Sequence, residues 1–116
     1  LHGTGTQLND IMESNTTARV FADRVPGSST KQMVGHTLGA AGAMELGFCW
    51  MLLSAELNSD LRLPPNLWDG IPDENSAKIL LVPDGYRTDR LAHCMSNSYA
   101  FGGCNVSLII SREESV

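Results

Sequence analysis

The chain has 116 residues, 42% of them hydrophobic, which suits one compact domain, and it contains no long linker or low-complexity tract. A net charge of -5 and only eight basic residues, scattered along the chain, exclude the basic stripe of a nucleic-acid-binding protein. The longest apolar run is about half the roughly 20 residues that a membrane-spanning helix needs, and three cysteines without C-x-x-C spacing favour neither a disulfide framework nor a metal site.

The first predicted helix follows a Gly/Thr-rich turn, HGTGT at residues 2–6. Apolar positions at helical spacing predict a helix over about residues 10–23, which Pro26-Gly27 would end. Asp10 and Glu13 have the spacing of a capping box, in which two side chains satisfy backbone N–H groups at a helix start.

The second predicted helix runs from Thr37, its candidate N-cap, to about Ala55. A short polar connector over residues 28–34, with some strand character, leads into it. Small residues at positions 39–43 make the first turns of this helix thin, so that another backbone can approach closely.

Three strands are predicted after the second helix. An irregular crossing over residues 58–77, rich in Pro, Asn and Asp, precedes them. The strands cover residues 79–82, 91–98 and 105–111, and a Gly-rich loop suited to an antiparallel hairpin joins the last two. Helices interleaved with strands predict an α/β architecture.

Two histidines, His2 and His36, each lie beside glycine in a turn rather than on a periodic apolar face. A single such histidine is best interpreted as making turn hydrogen bonds, but two in one short chain point to a shared site. Because His36 precedes a predicted helix, the positive end of the helix dipole disfavours an imidazolium there. A neutral ring can donate a hydrogen bond to a carbonyl oxygen that gains negative charge.

Glu45 falls on the apolar face of the second predicted helix, where a lone carboxylate is costly to bury. Lys31 is the nearest upstream cation, so one hypothesis is a Lys31–Glu45 pair that fixes the turn carrying His36. The alternative, in which Glu45 reaches solvent at the edge of the apolar stripe, is equally consistent with the sequence.

The loop between the last two strands has two glycines after Phe101, which allow positive φ values and a backbone amide directed into a cavity. Such an amide could form half of an oxyanion hole, although the motif taken alone is better explained as an ordinary hairpin turn with Phe101 in the core. Cys104 is the only cysteine near the loop. Cys49 lies in an apolar run and Cys94 inside a predicted strand, and both are interpreted as small buried hydrophobes.

Three motifs together resemble the β-ketoacyl-acyl carrier protein synthases of the elongating, Cys-His-His type. They are HGTGT-x-x-ND-x-x-E at residues 2–13, K-x-x-x-GHT-x-GAAG at 31–42 and NSYAFGG-x-N at 97–105. The resemblance implies the C-terminal half of a thiolase-like α/β fold, with a mixed sheet and packed helices, and residues 1–116 as one domain. The nucleophilic Cys would then lie in an N-terminal half. A chain that starts so close to His2 also suggests a fragment, and this fragment is expected to be inactive alone.

The resemblance assigns catalytic roles to five residues: His2, His36, Lys31, Glu45 and Phe101. The two imidazoles would assist loss of CO2 from malonyl-ACP and stabilise the enolate that attacks an acyl-cysteine thioester. Lys31 and Glu45 correspond to the active-site lysine and its acidic partner. Phe101 corresponds to a gating side chain whose amide is one oxyanion donor.

Substrate binding is implied for Thr4, Thr6, Phe101 and Gly102, with the threonines on the phosphopantetheine arm, while Glu13 corresponds to a structural acid. No cofactor or metal is expected on the protein, because the phosphopantetheine of acyl carrier protein carries the substrate. Acyl carrier protein is therefore the expected partner, with a homodimer or heterodimer for the full-length protein. A cytoplasmic location is expected, with neither nucleic acid nor membrane as a partner.

The leading interpretation is a 3-oxoacyl-[acyl-carrier-protein] synthase of fatty-acid biosynthesis. Ala100 stands where the family usually has Gly, and Cys104 where Thr is common, so the gate or the acyl pocket should differ in shape. The alternatives are a ketosynthase of a polyketide or polyene pathway and a non-catalytic subunit of the chain-length-factor kind. The paired His motifs disfavour a CoA-dependent thiolase, although Cys104 lies near the loop where thiolases carry a second cysteine.

Overall fold

A computed structural model describes residues 1–99 and 101–113, with the side chain of Phe101 outside the described part. The chain forms helices α1 (Gln7–Phe21), α2 (Lys31–Val34) and α3 (Ala41–Leu53), strands β1 (His93–Tyr99) and β2 (Asn105–Ser111), and 3-10 turns at Leu38–Ala40 and Phe101–Gly103. These elements belong to two compact units. The first comprises residues 1–36 and 64–84, and the second comprises residues 37–63 and the described residues from 85 onward. The assignment of residues 1–116 to one domain stays a prediction.

Helix α1 lies in the first unit and begins three residues before its predicted start. Thr6 is its N-cap, with extended backbone and no side-chain capping bond, and the N–H of Asp10 donates to the carbonyl of Thr6 at 2.9 Å. Asp10 is thus already inside the helix, so the predicted Asp10–Glu13 capping box is wrong. At the other end, Ala22 has a φ of 55° and its N–H donates to the carbonyl of Ala18.

The predicted strand at residues 79–82 is reduced to one parallel bridge between Gly27 and Leu81. The N–H of Gly27 donates to the carbonyl of Leu80 at 2.9 Å, and the N–H of Val82 donates to the carbonyl of Gly27 at 3.0 Å. The polar connector of residues 28–34 ends in the single turn of helix α2 rather than in a strand.

The second unit contains helix α3, which is shorter than the helix predicted from residue 37 to 55. Leu38 has a φ of 51°, in the left-handed region that an α-helix excludes, so a 3-10 turn precedes α3. Thr37 makes no side-chain capping bond, and its hydroxyl lies 3.4 Å from the sulfur of Met44 instead.

Strands β1 and β2 form the predicted antiparallel hairpin, with His93 opposite Ser111 and Tyr99 opposite Asn105. Helix α3 packs on β1. A Cβ added at Gly42 would come within 3.1 Å of the hydroxyl of Ser98, so the thin start of α3 is needed for this close approach. The described residues therefore give an α/β arrangement with a two-stranded antiparallel sheet, and the mixed sheet of the resemblance stays a prediction.

The crossing over residues 58–77 is irregular, as predicted. Its first residue, Asn58, is 8% exposed and organises the turn after α3 within the second unit. The side-chain amide of Asn58 donates to the carbonyls of Leu52 and Arg62 at 3.0 and 3.1 Å, and its oxygen accepts from the N–H of Arg62 at 3.0 Å. Within residues 1–99 and 101–113, no helix has the length and apolarity to span a membrane.

Candidate active site

The rings of His2 and His36 lie side by side in the first unit. Their centroids are 5.6 Å apart and their planes meet at 88°, an edge-to-face contact. His2 is 7% exposed, whereas His36 is largely open to solvent. His2 and His36 are 34 positions apart in the sequence. Their turns nevertheless bring the two imidazoles together, as the motifs predicted.

Glu13 of helix α1 holds the turn that carries His2. Its carboxylate is 3% exposed, and its two oxygens accept the backbone N–H groups of His2 and Gly3, each at 2.7 Å. Hydrogen bonds to an ionised acceptor are about twice as strong as neutral ones. The carboxylate that looked like a helix cap therefore fixes the backbone of a candidate catalytic residue.

Ser29 supports the same turn from the polar connector and is 2% exposed. Its hydroxyl donates to the carbonyl of Gly3 at 2.8 Å, and its N–H donates to the side-chain oxygen of Asn66 at 2.9 Å. Gly3 has a φ of 43°, and a Cβ there would lie 2.5 Å from the Cβ of Ser29. Both backbone conformation and space therefore require glycine at position 3. No local pattern in the sequence signalled Ser29 or Asn66.

Lys31, the first residue of helix α2, reaches the His2 turn as well. It is buried, and its ammonium group donates to the carbonyl oxygen of His2. The backbone of His2 is thus bound on both sides, its N–H by Glu13 and its carbonyl by Lys31. Glu45 is half-buried on α3 in the second unit, and the Lys31–Glu45 pair stays a prediction.

His36 follows Gly35, which has a φ of 78° and whose N–H closes helix α2 on the carbonyl of Lys31 at 2.8 Å. The α-helix expected directly after His36 begins only at Ala41, after the 3-10 turn. The predicted α-helix starting directly after His36 is therefore wrong, and so is the prediction that its dipole acts directly on this ring.

The predicted substrate-binding residues belong to different units. The hydroxyls of Thr4 and Thr6 are 2.9 Å apart. The backbone of Gly102 has a φ of 73° in the turn between β1 and β2, which agrees with the predicted positive φ. Ala100 and the side chain of Phe101 lie outside the described residues, so the gate stays a prediction.

The cysteines differ from their interpretation as buried hydrophobes. Cys49 and Cys94 are both partly exposed, and each thiol shifts the pKa of the other within the second unit. Cys104 is exposed. In the part of the chain that the structure describes, no group of three or more His, Cys, Asp or Glu side chains could hold a metal ion.

Comparison with known proteins identifies the class to which this site belongs. The family model described as "Beta-ketoacyl synthase, C-terminal domain" matches residues 1–61, which is more than half of the chain. The chain therefore belongs to the β-ketoacyl synthase family, and the resemblance seen in its three motifs is confirmed.

Individual relatives share this similarity over nearly the whole chain. The chain is 36% identical over 113 residues to "3-oxoacyl-[acyl-carrier-protein] synthase 1" of Haemophilus influenzae, a match that covers 97% of the chain and 27% of that protein. It is 38% identical over 114 residues to synthase 2 of Coxiella burnetii (96% and 26%), and 41% identical over 114 residues to synthase 2 of Rhizobium meliloti (96% and 25%). The chain thus spans about a quarter of the length of these relatives.

Proposed function

We propose that this chain supplies the histidine-bearing part of a 3-oxoacyl-[acyl-carrier-protein] synthase with a thiolase-like fold. The reaction is decarboxylative Claisen condensation of malonyl-ACP with an acyl-enzyme thioester in fatty-acid biosynthesis, and the enzyme is a cytoplasmic acyltransferase. The observation that carries the proposal is the edge-to-face contact of His2 and His36, whose ring centroids are 5.6 Å apart. The names of the similar proteins support it.

The two imidazoles act on the thioester oxygen of the malonyl group. When the bond to the carboxylate carbon breaks and CO2 leaves, its electron pair forms an enolate and the thioester oxygen becomes negative. Hydrogen-bond donors placed in advance at such an oxygen stabilise the transition state more than the ground state. The enolate carbon then attacks the acyl-cysteine carbonyl and the cysteine thiolate leaves, with that cysteine supplied from outside this chain.

The groups around the His2 turn serve to position its ring. Misplacement of a catalytic group by about 1 Å can reduce a rate about 100-fold, and the His2 backbone is bound by Glu13 and Lys31 on opposite sides. In this proposal Lys31 and Glu45 also have the catalytic roles that the family pattern implies.

The remaining sites concern the acyl carrier protein that delivers the substrate. The paired hydroxyls of Thr4 and Thr6 suit hydrogen bonds to the amides of its phosphopantetheine arm. The turn containing Phe101 and Gly102 supplies an oxyanion donor and the gate. The thioester arrives already activated on this arm, so the protein needs no cofactor of its own.

The test is replacement of His36 by Ala in the complete natural protein, with malonyl-ACP decarboxylation as the readout. Removing one donor from an oxyanion site costs about 100- to 1,000-fold in rate, and a loss of this size is expected. His93→Ala is the matched control, because His93 is exposed on β1 and its ring contacts only the hydroxyl of Ser111 among the hydrogen bonds described, at 2.8 Å. Undiminished decarboxylation by His36→Ala would refute the assignment.

A second measurement separates the enzyme from the chain-length-factor-like alternative. The condensing enzyme forms 3-oxoacyl-ACP from acyl-ACP and malonyl-ACP. A protein that decarboxylates malonyl-ACP but forms no condensation product lacks a working nucleophile and belongs with the partner subunits.

A further inference from the structure

Two cysteines of the second unit face each other between a helix and a strand. Cys49 lies on α3 (Ala41–Leu53) and Cys94 on β1 (His93–Tyr99). Both are free and partly exposed, and each thiol shifts the pKa of the other. Neither has a part in the condensation chemistry proposed above.

The packing of α3 on β1 places the two thiols together. Gly42 of α3 meets the hydroxyl of Ser98 of β1, where an added Cβ would approach to 3.1 Å. Cys49 lies two helical turns beyond Gly42 on the same face of α3, a rise of about 10.5 Å. Cys94 lies four residues before Ser98 on the same face of β1, about 13 Å away. At the other end of α3, the carbonyl of Leu53 accepts from the guanidinium of Arg112 at 2.9 Å, and the N–H of Arg112 donates to the carbonyl of Ala92, just before β1. Helix α3 and strand β1 therefore run in opposite directions, and their facing sides bring Cys49 and Cys94 together.

The interaction between the two thiols divides the pair into an attacking and a resolving thiol. The neighbouring Cys94 side chain lowers the pKa of the Cys49 thiol to about 7, although burial acts in the opposite direction. The Cys49 side chain, together with burial, raises the pKa of Cys94 far above its usual range. A thiolate is the nucleophile in disulfide exchange, and a thiol with a pKa near the ambient pH attacks most efficiently.

We propose that Cys49 and Cys94 form a reversible redox pair that low-molecular-weight disulfides, such as glutathione disulfide, convert to an intramolecular disulfide. The Cys49 thiolate attacks one sulfur of glutathione disulfide, forming a mixed disulfide and releasing one glutathione thiolate. Cys94 then loses its proton and attacks the Cys49 sulfur, which releases the second glutathione. The two cysteines are oxidised, glutathione disulfide is reduced, and the two thiol protons end on the two released glutathione molecules.

Peptide mapping of the complete natural protein tests this proposal directly. Cleavage after Lys and Arg places Cys49 in the peptide 32–62 and Cys94 in the peptide 91–112, which also contains Cys104. The exposed Cys104 is therefore replaced by Ser before incubation with glutathione disulfide and alkylation of the remaining thiols. The expected product is a linked pair of these peptides, lighter by two hydrogen atoms than their reduced sum and separated by dithiothreitol.

Single replacements in the Cys104→Ser protein define the order of the steps. In Cys94→Ser, the reaction is expected to stop at a Cys49–glutathione disulfide. In Cys49→Ser, Cys94 is expected to stay unmodified under the same conditions. Absence of the linked peptides when both cysteines are present, or equal glutathione modification of Cys94 and Cys49 in the two variants, would overturn the proposal.

The pH dependence of Cys49 alkylation gives an independent readout. Because its pKa is lowered to about 7, the rate with iodoacetamide in the folded Cys104→Ser protein should reach half its maximum near that pH. In urea the half-maximum should move to about 8.5, the ordinary value for cysteine. Coincident folded and unfolded profiles would contradict the proposed attacking role of Cys49.

Discussion

Replacement of Glu13 by Gln measures how strongly the His2 turn is held. The side chain keeps its size, but one of the two oxygens that accept the N–H groups of His2 and Gly3 at 2.7 Å becomes an amide that cannot accept. A buried N–H left without a partner costs about 1–3 kcal/mol, and the remaining bond loses its charge assistance, which roughly halves it. We expect the free energy of unfolding to fall by about 2–4 kcal/mol.

Urea unfolding of the complete natural protein provides the assay. The free energy of unfolding should depend equally steeply on urea concentration in each variant, because each then exposes the same surface on unfolding. Glu74→Gln is the control, because Glu74 is exposed in the same unit and should change stability by less than about 0.5 kcal/mol. Glu13→Asp keeps the charge on a shorter side chain, and its free energy of unfolding should lie between those of Glu13→Gln and Glu74→Gln. If Glu13→Gln is as stable as Glu74→Gln, the carboxylate does not hold the turn and the reasoning fails.

Two further substitutions test other contacts. Gly3→Ala should lower the free energy of unfolding by roughly 2–5 kcal/mol, because it adds left-handed strain to overpacking against Ser29; denaturant unfolding and malonyl-ACP decarboxylation should both report the change. Asn58→Ala should cost roughly 2–4 kcal/mol, since it removes the hydrogen bonds that the buried Asn58 side chain makes to Leu52 and Arg62, and it should leave decarboxylation by the folded protein unchanged.

Matched control variants show whether the losses of stability are specific to the contacts of Gly3 and Asn58. Gly70→Ala also places alanine at a positive φ, 81°, but its added Cβ meets nothing within 4 Å, so the strain is present without the clash. Asn75→Ala removes an exposed asparagine and should change stability by less than about 0.5 kcal/mol. A Gly3→Ala protein no less stable than Gly70→Ala would contradict the clash with Ser29, and equal effects of Asn58→Ala and Asn75→Ala would contradict the role of Asn58.

Features that depend on neighbouring residues could be predicted from the sequence. The hairpin of β1 and β2 follows from two β-prone segments around a glycine turn, and its register is observed over seven pairs, from His93–Ser111 to Tyr99–Asn105. The existence of α1 follows from helical spacing of its apolar residues. The nearness of His2 and His36 could be predicted only because three motifs together resembled one family.

Features that depend on distant partners were not predictable. Asp10 and Glu13 fit a local capping pattern, but Glu13 binds the backbone of His2, 11 positions upstream. Ser29 binds Gly3 across 26 positions and Asn66 across 37, so no periodic pattern marks it. The start of α3 shifted because Leu38 adopts a positive φ, which its residue type disfavours.

The buried residues of the first unit explain why hydrogen bonds, rather than packing, determine the geometry of the site. Within residues 1–36 and 64–84, all of which the structure describes, Val82 is the one buried apolar side chain, whereas the buried polar side chains are His2, Glu13, Ser14, Ser29 and Lys31. Apolar contacts tolerate small shifts because they are not directional, but short hydrogen bonds specify both distance and angle. The backbone of His2 is therefore fixed by directional contacts, while His36 stays open to solvent beside it. In the proposed reaction, one ring is thus held in place and the other stays accessible to the incoming thioester.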